Sequence, residues 1–210
     1  MVHTGSKTKN LNRDKITDAA IAAFAVNPEA TVAEIAEAAG IVRRTVYGHF
    51  PTRHDLIIGI VERAAQELID ALPSPEDIPD EPDVALALLE LCNWPVGDRY
   101  RALLGVGRRE LGDQRILDMI SGARQLTLDV VERGQARALF NRRVTADTIV
   151  AVSEAASLAL LDDTHRVDGT ITATIAADIA LSLAGVDTAR RADAIRSAEI
   201  IWNGISTTDS

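Results

Sequence analysis

Cysteine is almost missing from this chain. Cys92 stands alone among 210 residues, so no intrachain disulfide can form. A single thiol suits a reducing compartment, and a cytoplasmic protein is expected. Long apolar runs are missing too. None approaches the roughly 20 residues of a membrane helix, and the N-terminal MVHTGSKTKNLNRD lacks the apolar segment of a secretory signal. No membrane partner is therefore expected. Aromatic residues make up 3% of the chain although 47% is hydrophobic. Ala, Leu, Ile and Val must carry the core, which favours packed helices. Period-2 alternation of useful length is absent. Residues 170–177 alternate in part, but their alanines and the continuation to Leu183 suit a helix.

Signatures of catalysis are missing as well. There is no Gly-rich phosphate loop with its lysine and no G-x-S-x-G nucleophile turn. An enzyme is not expected, nor a cofactor. Asp162, Asp163 and His165 resemble a metal or acid–base set, but they crowd one polar loop with no second ligand cluster. They read as solvated loop residues, and no metal is expected. Cys92, beside Trp94, reads as a buried thiol rather than a redox sensor.

Positive charge is scarce overall, with a net charge of −9. Such a surface argues against non-specific nucleic-acid binding. The charge is unevenly spread, however. Residues 1–55 hold seven Lys/Arg and six Asp/Glu, and the rest holds 15 and 25. The excess of acid lies outside the first quarter.

The expected fold is all-α, with a three-helix N-terminal head at 1–55 and a helical-bundle body at 56–210. Residues 1–11 carry Lys7 and Lys9 without an acid. They read as a solvated tail, with a DNA-touching basic arm as the alternative. A first helix is expected over 12–26, where Ile16, Ala20, Ala23 and Phe24 form an apolar stripe before Asn27 and Pro28. A helix from about residue 52 to 71 links head to body. Residues 72–83 hold four of the seven prolines and five acids, so they read as a linker or long loop. The body pattern predicts helices over 84–93, stopped near Trp94 and Pro95, then 98–109, 114–141, 145–161, 170–183 and 188–202. Arg108, Arg109 and Glu110 read as an exposed helix face, as do Glu132 and Arg133.

The informative stretch is 31–56, TVAEIAEAAGIVRRTVYGHFPTRHDL. Thr31 and Glu34 have the spacing of a capping box. Val32, Ile35, Ala36 and Ala39 share one helical face, and Gly40 supplies the stop. A second short helix runs to Phe50, where Pro51 breaks it. Two short helices joined by a glycine turn read as a helix-turn-helix. At 100° per residue from Val42, Val42 and Val46 centre the inward side, flanked by Thr45 and His49. Arg43, Arg44, Tyr47 and Gly48 face outward. No acid occurs between Glu37 and Asp55. A major groove admits one helix, and Arg can donate in pairs to guanine O6 and N7. Thr52 and Arg53, with Tyr47, suit phosphate contacts. Gly48 suits close approach to DNA. The expected partner is double-stranded DNA.

Thr31 to Ala36, Ala39–Gly40–Ile41, Thr45–Val46–Tyr47, His49–Phe50–Pro51 and Asp55–Leu56 together look like the DNA-binding domain of TetR-family transcriptional regulators. The resemblance covers residues 12–60. It implies a homodimer on a pseudo-palindromic operator, a second ligand-binding domain, and repression relieved by a small-molecule effector. A ligand-responsive activator or co-regulator that recruits a protein is the alternative. Phosphate roles carry over at Thr45, Tyr47 and His49, and Arg53 keeps positive charge where lysine is frequent. The chain departs from the family at Val42, where a capping hydroxyl is common, at Arg44, often small, and at Gly48, often larger. Candidate effector-lining residues are Trp94, Leu103, Met119, Ile120, Leu126 and Phe140. The dimer seam is expected on two small-residue helices, through Ala151, Ala155, Ala156, Ala159, Ala173, Ala177 and Ala180.

Overall fold

A computed structural model describes residues 4–161 and 172–208. Among the described residues there are ten α-helices and no strand: α1 Thr4–Val26, α2 Val32–Ala38, α3 Arg43–His49, α4 Arg53–Asp70, α5 Pro82–Leu111, α6 Asp113–Met119, α7 Ser121–Ala136, α8 Ala146–Leu161, α9 Ala173–Leu183 and α10 Thr188–Thr208. The all-α class and the N-terminal helix-turn-helix are as the sequence predicts. None of the described helices is long and apolar enough to cross a membrane.

The chain forms two compact units. The first comprises residues 1–66 and 100–119, the second 67–99 and 120–210. Helices α4 and α5 each contribute residues to both. The proline-rich stretch 72–83 lies inside the second unit, where Pro75–Asp77 forms a 3-10 turn and Pro82 opens α5. Proline suits that first position because its missing N–H would have had no partner there.

The first unit is built around Ile16, Phe24, Ile35, Val46, Phe50, Leu56, Ile57 and Ile60, all at most 2% exposed. Helix α4 can lie close to Phe50 because residue 59 is glycine. A Cβ there would stand 2.6 Å from Phe50 Cε1. The second unit packs Leu86, Leu88, Leu89 and Leu91 of α5 with Val130, Val131, Phe140, Ile149, Val150 and Leu181. Gly134 makes room for Phe140, whose ring fills the place a Cβ would take. Arg190 of α10 pairs with the buried Asp83 at 2.5 Å, and Arg191 with Asp178 at 2.8 Å.

Several helix boundaries differ from the sequence reading. Helix α1 starts at Thr4, so residues 4–11 are helical rather than tail. Helix α5 is continuous through Pro95, where two helices are predicted. Proline there removes one backbone hydrogen bond and crowds the carbonyl of Leu91, a cost of about 3 kcal/mol or more. Leu88, Leu89, Leu91, Cys92 and Trp94 are all buried around it, and each buried large side chain contributes about 1.5–3 kcal/mol, which outweighs the lost bond. The predicted 114–141 helix is instead two, parted at Ile120, whose ψ of 9° leaves the helical range. The glycines at 122 and 134 do not break it. Helix α10 runs six residues past Trp202. The loop set Asp162, Asp163 and His165 lies outside the described residues.

Candidate nucleic-acid interface

The helix-turn-helix is built from local rules. Thr31 caps α2: its N–H and hydroxyl donate to Glu34 Oε2 at 2.7 and 2.8 Å, and the Glu34 N–H donates to Thr31 Oγ1 at 3.3 Å. These bonds from Thr31 hold the Glu34 carboxyl below its ordinary value. Such a cap is worth about 1 kcal/mol. At Gly40 the backbone turns left-handed, with φ +63°, and a Cβ would meet nothing within 4 Å. Backbone angle, not space, selects glycine there. The Ile41 N–H closes the turn by donating to the Ala36 carbonyl at 3.0 Å.

Helix α3 then docks through Val46, which is fully buried. Phe50 ends it, with its N–H donating to the Val46 carbonyl at 2.8 Å. Arg43, Arg44, Tyr47 and Gly48 are exposed, and Thr45 and His49 are partly so. A Cβ on Gly48 would meet nothing within 4 Å, and its φ is not positive, so nothing inside the chain requires glycine there. Val42 departs from the sequence reading. It is 74% exposed instead of inward-facing. The reason is that Val42 precedes the helix: at φ −63° and ψ 132° it is the N-cap, and the helical angle used to place it does not apply. No side chain caps α3. The outward face therefore combines two guanidinium groups, a phenol, a bare glycine and an isopropyl group.

Thr52 and Arg53 have other partners. The Thr52 N–H and hydroxyl donate to Asp55 Oδ2 at 3.0 and 2.7 Å, and the Asp55 N–H donates back to Thr52 Oγ1 at 3.0 Å. Thr52 and Asp55 thus form a second capping box, at the start of α4. The Arg53 guanidinium donates to the Pro28 carbonyl at 2.7 Å, to the Ala30 carbonyl at 3.3 Å, and to Glu110. It also lies 5.3 Å from the centre of the Phe24 ring. Nothing in the local sequence signals these contacts, because Glu110 is 57 residues away.

The six candidate effector-lining residues divide between the units. Leu103 and Met119 belong to the first; Trp94, Ile120, Leu126 and Phe140 belong to the second. Phe140 and Leu126 share the second unit's core. Phe140 also borders an open hollow of about 380 Å³ with Ala138, Leu139, Asn141, Arg143 and Gly185. Burial pushes the Cys92 thiol up to about 11, so it stays protonated. Sequence reasoning missed a polar cluster in the second unit. Arg124 bonds Asp147 at 2.9 Å and Glu154 at 3.2 Å. Glu90 is pushed up to about 7, first by burial and then by the Glu154 charge. No set of three or more His, Cys, Asp or Glu suited to a metal ion occurs among the described residues.

A docked three-helix reader with a cationic outward helix defines the class: a helix-turn-helix protein of the DNA-binding regulator type. Residues 16–60 match the model of a family described as bacterial regulatory proteins, tetR family. Over most of its length the chain also shares the fold of solved proteins, among them regulators described as TetR-family or TetR-like. PfmR of Thermus thermophilus matches with a TM-score of 0.68 at 16% identity, over 81% of this chain and 97% of that one. LfrR of Mycobacterium smegmatis, solved with proflavine, matches with a TM-score of 0.66 at 22% identity, over 87% and 99%. RolR, solved with resorcinol, matches with a TM-score of 0.56 at 20% identity, over 92% and 95%. No curated protein matches the chain in sequence.

Proposed function

We propose that this chain is a homodimeric repressor that binds operator DNA through α3 and is released by a small-molecule effector held in the second unit. One observation carries the DNA reading: Arg43, Arg44, Tyr47 and Gly48 stand exposed on one helix. Two copies would place their α3 helices in successive major grooves of a pseudo-palindrome, with half-sites about one turn apart or a multiple of it. Phosphate contacts fall to Thr45, Tyr47 and His49, and base contacts to Arg43 and Arg44.

The pairing surface is assigned chiefly to α8. Its Ala151, Val152, Ala155 and Ala159 are exposed along one face, and Ile200 of α10 is 74% exposed. Ala177 and Ala180 of α9 do not share in it, because they are buried within the chain's own fold. The effector is a small aromatic compound, in line with the resorcinol and proflavine bound by relatives of this fold. Trp94 is its stacking candidate, one helical turn from Glu90 on α5.

A reporter driven by a promoter bearing the selected operator tests this reading. Transcription should fall when the protein is expressed and recover when a matching aromatic compound is added. A rise on expression would instead make the chain an activator.

Val42 offers a second check. An exposed isopropyl group at the start of α3 suits the C5-methyl of thymine. Replacing operator thymines one at a time by deoxyuridine should weaken wild-type binding roughly fourfold at one position per half-site, the equivalent of about 0.8 kcal/mol for one buried methyl. Val42→Ser should be indifferent to that replacement. A wild-type affinity unmoved at every thymine leaves Val42 without a base contact.

A further inference from the structure

Arg53 follows the helix-turn-helix directly, and a cation there suggests a phosphate contact. Its surroundings point elsewhere. The side chain is 25% exposed, and its guanidinium reaches three elements of the first unit at once. Two donors close on the backbone carbonyls of Pro28 and Ala30, in the turn that leads into α2. A third bonds Glu110 near the end of α5. The flat face covers Phe24 of α1 at 5.3 Å. Glu110 is itself shared, since its second oxygen lies 3.7 Å from His54 Nδ1. One residue earlier on α5, Arg109 lies 3.6 Å from Glu29 in the same turn. Opposite charges therefore tie the end of α5 to the turn before α2 and to the start of α4.

We propose that Arg53 is a positioning residue, not a phosphate ligand: with Glu110 it latches the α1–α2 turn and the start of α4 to α5, and so holds the helix-turn-helix in its DNA-reading shape. The assignment rests on the DNA-binding reading above. A planar fork can bond two carbonyls and a carboxylate together, whereas a lysine ammonium on a flexible stem cannot match that geometry. Helix α5 also supplies residues to the second unit.

The test measures binding of the full-length protein to a selected operator across a salt series. Glu110→Ala is the decisive variant. Removing a carboxylate near a polyanion, and freeing an arginine, strengthens DNA binding on charge grounds alone. A latch predicts the opposite: Glu110→Ala should weaken binding about tenfold. Arg53→Ala and Arg53→Lys should weaken it similarly, and the Arg53→Ala, Glu110→Ala double variant should be no weaker than either single one. The salt slope should stay at the wild-type value in all of them. A phosphate contact predicts instead that Arg53→Lys keeps affinity, that Arg53→Ala lowers the slope by about one, and that Glu110→Ala binds as well as wild type or better. That pattern overturns the latch. Wild-type protein that selects no DNA brings down the DNA-binding reading itself, and the latch with it.

Discussion

Phe50→Ala should abolish operator binding and cost the first unit about 3–5 kcal/mol of stability, the usual range for a large aromatic lost from a core. Phe50 is 2% exposed and sits where the recognition helix ends. Its N–H closes α3 on the Val46 carbonyl, while its ring lies against α4 at Gly59. The Arg13 guanidinium covers the ring at 4.8 Å, a contact worth about 0.5–1 kcal/mol at an exposed site. One side chain thus joins α1, α3 and α4. Whole domains are stable by only about 5–15 kcal/mol, so the loss is a large share. Urea unfolding followed by circular dichroism should show an early transition that the wild type lacks. Phe50→Leu keeps most of the volume and should cost about 1.5 kcal/mol or less. A Phe50→Ala protein with the wild-type unfolding profile contradicts this picture of the head.

Arg44→Ala should leave the fold intact and relax base preference at one position per half-site. The side chain is exposed on α3 and contributes nothing to the core. Loss of a bidentate guanine contact costs about 1–3 kcal/mol, and a dimer loses it twice, so affinity should drop by about 2–6 kcal/mol, or at least roughly thirtyfold. Arg44→Lys should recover little, because one ammonium cannot reproduce the two parallel bonds. The measurement is binding to operators permuted at each position. Unchanged preference everywhere shows that Arg44 does not read a base.

Much of the head was legible because its rules are local. Thr31 and Glu34 lie three residues apart, Gly40 needs only its own backbone angle, and Val46 is inward by simple periodicity. Val42 misled for an equally local reason: it lies one residue outside the helix whose phase was used to place it. The contacts of Arg53 were not legible. They join residues 23 to 57 positions apart, and no spacing within one helix encodes such a pairing. Pro95 shows the same limit in the body. Proline is a strong local signal to stop, yet a densely buried run of leucines overrides it. The second unit's polar cluster was hidden for a related reason, since Glu90, Arg124 and Glu154 stand on three different helices. The body's periodicity announced helices without saying which faces meet.

The central claim is that α3 reads a DNA sequence. Selection of genomic fragments by the purified full-length protein, with an Arg43→Ala, Arg44→Ala double variant in parallel, tests it most directly. Wild type should enrich a pseudo-palindrome whose half-sites lie about one helical turn or a multiple apart, and the double variant should enrich none. Fragments recovered by wild type with no shared sequence, or the same palindrome recovered equally by both proteins, would contradict it.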